Sequence, residues 1–222
     1  MKIGALSDMH GLLPKVAPCE LLFICGDTIP MNCEPNIEGS LGWLERYFIP
    51  WIEEIPVDQV YLIAGNHDMV FERSEHRAID TLSVCDKVHY LNCELEYYIS
   101  NDGLMYKIYG SPYCKVYGNW SFMIDDDAIY ERMSNMPEDI DFLLTHDSPY
   151  GISDICRNNG VHIGNKAIRE IILEKKPKYN FHGHLHSSNH EMELLGDTKV
   201  YGVSILDESY KREYSVLYLN ID

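Results

Sequence analysis

Along the chain, short apolar runs alternate with longer stretches in which apolar residues return every three or four positions. The runs at 3–6, 21–25, 60–64 and 142–144 are each closed by polar or turn residues, which predicts short buried strands. Between them, Ile37, Leu41, Leu44, Phe48, Trp51/Ile52 and Ile55 keep helical spacing. So do Ile163, Ala167/Ile168 and Ile171/Ile172, ahead of Lys175, Lys176 and a stop at Pro177. Strands alternating with helices favour an α/β core. A second set of runs (88–91, 95–99, 105–109, 200–205 and 214–219) is rich in Tyr, Val and Ile with few helical patterns between neighbours. This set predicts antiparallel pairing and hence mixed sheets. There is no internal repeat and no long Pro/Gly/Ser linker, so residues 1–222 are expected to form one domain.

Polar clusters fall where the apolar runs end: Asp8-Met9-His10, Gly26-Asp27, Gly65-Asn66-His67-Asp68, Thr145-His146 and Gly183-His184-Leu185-His186. In open α/β sheets, ligands bind at the carboxyl ends of strands, so these segments predict one shared site. Carboxylates, imidazoles and an amide without cysteine suit hard or borderline divalent cations rather than a structural zinc. The donors exceed the needs of one ion, and a bridging Asp27 would supply two, an arrangement suited to in-line displacement at phosphorus.

Charge narrows the partners. Eighteen Lys and Arg against thirty-five Asp and Glu give −17, a field that disfavours nucleic acid and anionic membranes. No window has the apolar length of a membrane helix, and the first residues lack the apolar run of a signal peptide, so the cytoplasm is the expected compartment. The seven cysteines are odd in number and form no Cys-x-x-Cys, as expected of reduced cysteines used as small apolar residues.

The ordered blocks D-x-H, G-D, G-N-H-D, T-H and G-H-x-H resemble those of the calcineurin-like metallophosphoesterase superfamily. Tyr109-Gly110-Ser111-Pro112-Tyr113, Leu143 to His146 with Pro149 and Gly151, and Ser204 to Glu208 with Tyr210 are similar to its small single-domain, cyclic-nucleotide phosphodiesterase-like group. The resemblance implies a four-layer αββα sandwich, with two mixed β-sheets flanked by helices. It implies that Asp8, His10, Asp27 and His186 hold one ion, and that Asp27, Asn66, His146 and His184 hold the other. Manganese is the first expectation for the metal, with iron, zinc, nickel or magnesium as alternatives. The implied reaction is hydrolysis of a small phosphoester, a diester such as a cyclic nucleotide foremost, through attack by hydroxide bridging the ions. His67 is expected to act as general acid, held by Asp68, with a hydrogen bond to a phosphoryl oxygen as its alternative role; Asn66 is also expected at the substrate, and Tyr113 or Trp120 offers a stacking face.

Two rival readings stay open. Phosphoprotein phosphatases share the metal blocks but carry an Arg soon after Gly-Asp and read G-N-H-E, whereas here Thr28 to Asn32 contain no Arg and the block ends in Asp68. A noncatalytic module on the same fold would be expected to have lost ligands, and none is missing here. His182 is read as facing the core, and His76, His89, His162 and His190 as surface or loop residues.

Overall fold

The computed structural model describes residues 1–157, 160–187 and 189–221. Strands β1 (Lys2–Leu6), β2 (Cys19–Cys25), β3 (Val57–Ile63) and β4 (Val88–Tyr90) run parallel in one sheet. A hairpin of β5 (Glu94–Ile99) and β6 (Met105–Ser111) begins the second sheet, and β7 (Cys114–Lys115) and β8 (Met123–Ile124) form a small pair of their own. The second sheet is completed by β9 (Phe142–Thr145), β10 (Tyr179–His182), β11 (Met192–Leu195) and β12 (Thr198–Gly202), before β13 (Leu217–Asn220) returns antiparallel to β1. The strand orders are β13-β1-β2-β3-β4 and β11-β12-β10-β9-β6-β5.

Period-2 alternation sorts the side chains into layers. On β2, Leu21, Phe23 and Cys25 face the second sheet and meet Phe142, Leu144 and Phe181, while Leu22 and Ile24 face outward into a separate cluster. That outer face is covered by helices α1 (Ile37–Trp43), α2 (Ile49–Glu54), α3 (Met69–Arg73) and α4 (Glu75–Leu82) through Leu44, Phe48, Ile52, Val70 and Phe71. The far face of the second sheet packs Leu143 and Val200 against α5 (Asp126–Ser134) and α6 (Lys166–Lys175). The result is four layers, helices–sheet–sheet–helices, with both sheets mixed.

Several details depart from the sequence reading. The expected single helix from Ile37 to Ile55 is broken by a π-helical turn, Leu44–Phe48. Pro50 has no N–H to offer and its ring crowds the preceding turn, which the wider π-turn relieves. Ile163 lies outside α6, whose first turn is capped by the Asn165 side chain accepting from the Ile168 N–H. Val88–Tyr90 pairs parallel with β3, not antiparallel. The charged helix α4 supplies the crossover, and its many polar residues hid its apolar face. His89 on that strand is half-buried, stacked on Tyr61 and hydrogen-bonded to Gln59, rather than a surface or loop residue.

The two sheets join at one seam. The Ser7 N–H donates to the Val203 carbonyl and the Ile205 N–H to the Ser7 carbonyl, so the chain just past β1 pairs with the chain just past β12.

Candidate metal centre

The polar blocks converge at this seam because of strand order. Asp8/His10, Asp27 and Asn66–Asp68 follow the adjacent parallel strands β1, β2 and β3, and His146 and His184/His186 follow the adjacent parallel strands β9 and β10. Backbone bonds lock the loops together: Asp8 N–H to Gly26 C=O (3.0 Å), His10 N–H to Asp27 C=O (2.9 Å) and Gly183 N–H to His146 C=O (3.1 Å). Asp8, His10, Asp27 and His184 all adopt left-handed backbone, with φ of 54°, 41°, 53° and 66°, conformations that a loop adopts only where its surroundings enforce them. Two motif glycines are explained by close approach. A side chain at Gly65 would collide with the Asp27 carboxylate and the His146 ring, and one at Gly183 with Ser7 and Asp8.

The ligand atoms of Asp8, His10 and His186 lie within 4.8 Å of one another, as do those of Asp27, His146 and His184. Asp27 stands between the two groups, its Oδ2 3.7 Å from His10 Nε2 and its Oδ1 3.5 Å from His146 Nε2. The Asn66 amide oxygen is 3.0 Å from His146 Nε2. His146 Nδ1–H donates to the Cys25 carbonyl and His186 Nδ1–H to that of Asp207, which leaves Nε2 of each ring facing the carboxylates. Each ligand expected from the sequence is thus at the cluster, and His182 is buried beside it, facing the core as expected.

The electrostatics fit a cation. Burial pushes the Asp8 carboxyl up, but the hydrogen bond and charge of His186 outweigh burial and hold it at about 2. Asp27 likewise lies well below the carboxylate range because His146 and His10 offset its burial. In return the carboxylates raise His146 to about 10 and His186 to about 9, against the burial that disfavours their charge. Buried negative charge is therefore balanced by protons on imidazoles, and divalent ions would displace those protons. Both ring nitrogens of His10 are buried without a hydrogen-bond partner, as is Asn66 Nδ2, so His10 suits a metal ligand better than a packed core histidine.

His67 is placed differently from the expectation. Its Nδ1 pairs with Glu34 Oε1 at 2.8 Å, both side chains being nearly buried, and its backbone N–H donates to Asp27 Oδ1. Burial opposes its charged form, but the Glu34 hydrogen bond and the Asp27 charge outweigh this and raise its pKa. Asp68 does not hold the His67 ring. Its carboxylate accepts the backbone N–H groups of Thr28, Ile29 and Gly65, fastening the second and third loops to each other. Glu34 went unrecognised because its loop carries no motif; its one signal is being the sole carboxylate between Asp27 and Glu38.

A cavity of about 240 Å³ opens over the cluster, lined by Asp27, His67, His184 and His186 together with Tyr117, Glu208 and Tyr210. Among the described residues no Lys or Arg lines it. The Trp120 ring lies 4.3 Å from that of His67, beside the site as expected. Tyr113 is elsewhere: its ring lies beneath Arg132 and against Phe122, so it forms no wall of this cavity. Tyr117 and Tyr210, 5.3 Å from His184 and 5.0 Å from His10 between ring centroids, stand at the mouth instead.

The layered fold is shared by solved structures. The phosphopantetheinyl hydrolase PptH of Mycobacterium tuberculosis superposes with a TM-score of 0.62 at 14% identity, over 100% of this chain and 96% of that one. The protein TT1561 of Thermus thermophilus gives 0.62 at 12% identity, over 90% and 88%. Residues 1–188 match the calcineurin-like phosphoesterase family, and the chain belongs to it. Among curated relatives, a UPF0046 protein of Caenorhabditis elegans is 26% identical over 96% of this chain and 76% of its own length. Human metallophosphoesterase domain-containing protein 1 is 23% identical over 93% of this chain, which spans 66% of that protein. Family membership implies divalent metal ions and hydrolysis of phosphoesters. No helix among the described residues is long and apolar enough to cross a membrane.

Proposed function

We propose that the chain, acting as one domain over residues 1–222, is a phosphodiesterase for small substrates, cyclic nucleotides among them, with two divalent ions, manganese first, at the seam. Asp8, His10, Asp27 and His186 would hold one ion and Asp27, Asn66, His146 and His184 the other. Bound there, the ions supply positive charge to phosphoryl oxygens and acidify a water for in-line attack. The chain's own residues do the rest. With Nδ1 committed to Glu34, His67 carries its transferable proton on Nε2 and delivers it to the departing alcohol, while Glu34 positions the ring and favours its charged form. Asn66 sits at the same face of the cluster, and Trp120 and Tyr117 offer ring faces to a base or aryl group.

The observation that carries the diester reading is the cavity wall: Glu208 is in it, and among the described residues no Lys or Arg is there to clamp the second charge of a monoester. The test compares kcat/KM of the manganese-loaded protein for bis-p-nitrophenyl phosphate, 2′,3′- and 3′,5′-cyclic nucleotides and simple monoesters. Diesters should lead; a monoester exceeding every diester would reverse the reading.

A further inference from the structure

A second cavity, of about 440 Å³, lies on the other side of Tyr210, and the reaction above makes no use of it. Tyr210 lines both cavities, and the second is also bordered by His10, whose ring packs behind that of Tyr210. Its remaining wall is largely apolar, from Leu12, Pro30, Met31 and Leu206. Leu12 and Met31 are 36% and 46% exposed, large apolar side chains presented next to the donor cluster. No carboxylate lines this cavity among the described residues, and Arg212 contributes its one cation. The two cavities therefore differ in character: one polar with an acidic wall, the other apolar.

The partition between them is a built feature. Tyr210 has a φ of 57°, an unfavourable conformation for a bulky residue. Its N–H donates to the Asp207 carbonyl at 2.8 Å, and the Asp207 carboxylate accepts the N–H groups of Ser209 and Lys211, which fixes the turn. The ring is thereby set edge-on to His10 and His186, at 5.0 and 5.1 Å between centroids. Strained backbone of this kind persists where the surrounding structure over-determines it, and it clusters at ligand sites.

A phosphodiester has two ester arms leaving one phosphorus, and here two cavities flank one ring, that of Tyr210, which packs on the rings of His10 and His186. We infer that the second cavity is a subsite for an apolar ester arm, so that among small diesters the favoured ones are open-chain and unsymmetrical, with one apolar arm seated against Leu12, Met31 and Leu206 and Tyr210 dividing the arms. The inference rests on the phosphodiesterase reading and extends it to the substrate's shape.

Methyl, butyl and hexyl p-nitrophenyl phosphates share a leaving group and differ only in the other arm, which makes them the rate test. From methyl to hexyl, kcat/KM should rise about tenfold, mainly through KM, well under the roughly fourfold per methylene that full burial allows. Met31→Asp should collapse that ratio towards one. An activity-independent readout uses 13C-methyl-labelled methionine. Hexyl methyl phosphate should move the Met31 signal more than dimethyl phosphate does, while Met133 and Met136, in the core beneath the second sheet, stay fixed. If diesters turn over equally whatever the arm and Met31 does not respond to arm length, the subsite is overturned and the phosphodiesterase reading stands. If the loaded protein hydrolyses no diester while the hexyl compound still moves Met31, the cavity binds apolar arms and the reading of the reaction fails.

Discussion

Replacing Glu34 by Gln isolates the dyad that the structure places at the leaving-group side. The substitution keeps size and an acceptor atom opposite His67 Nδ1, 2.8 Å away, but removes the charge. Hydrogen bonds to charged groups contribute about 1.5–3 kcal/mol and neutral ones about 0.5–1.5, so stabilisation of the imidazolium should fall by about 1–2 kcal/mol. Because His67 must be protonated to act, that loss lowers its pKa, and at pH values above it the protonated fraction and kcat should fall about 5- to 30-fold. The assay is steady-state hydrolysis of aryl methyl phosphates graded by leaving-group pKa, across pH. The loss should be largest for poor leaving groups and vanish towards good ones, which need no proton. The sign of the pH effect is also set: His67 must be protonated to act, so activity falls as pH rises through its pKa, and without the Glu34 charge that fall moves to lower pH. Glu34→Asp, which restores charge at a shorter reach, should recover part of the activity. An equal loss across leaving groups with an unmoved alkaline limb would refute a proton-donor role for His67 and leave Glu34 a packing residue.

Reconstitution with manganese should give two ions per chain by elemental analysis, and Asp27→Ala should lose both, since that carboxylate stands between the two donor groups. In EDTA, the stability of the fold should depend on His146 and His186: their raised pKa values, about 10 and about 9, stabilise the metal-free fold below the ordinary histidine pKa of 6.5, and this is lost as pH rises through those values. Thermal melts should show Tm of the metal-free protein declining over that window, with metal affinity rising as the same protons leave; a Tm flat with pH would contradict the charge balance described above. Phe23→Ala should cost about 3–5 kcal/mol by chemical denaturation, because Phe23 is fully buried between the sheets against Phe142 and Phe181.

What the sequence disclosed and what it withheld have separate physical causes. Asp8, His10, Asp27, Asn66, His146, His184 and His186 were legible because each closes an apolar run, and parallel neighbours necessarily bring those ends together. The layers followed from the same alternation. Glu34, Tyr117 and Tyr210 were not legible as a group, since they reach the site through loops whose course depends on contacts distant in sequence. Tyr210 was visible only as part of a family resemblance, without a role. Tyr113 misled because an aromatic after a Ser-Pro turn says nothing of which way the turn faces; Arg132 and Phe122 decide that. Asp68 misled because adjacency to His67 suggested a partner, whereas three backbone N–H groups claim its carboxylate.

The family match ends at residue 188, yet Asp207, Tyr210 and Arg212 lie beyond it. All the proposed donors come from the matched span, while the wall that divides the cavities comes from the tail, anchored by β13 on β1. The tail thus supplies the divider, while Leu12, Pro30 and Met31 of the matched span supply much of the apolar wall beside it. A lineage could vary that turn and reshape the divider without touching any donor residue, provided a carbonyl at position 207 still accepts from His186 Nδ1.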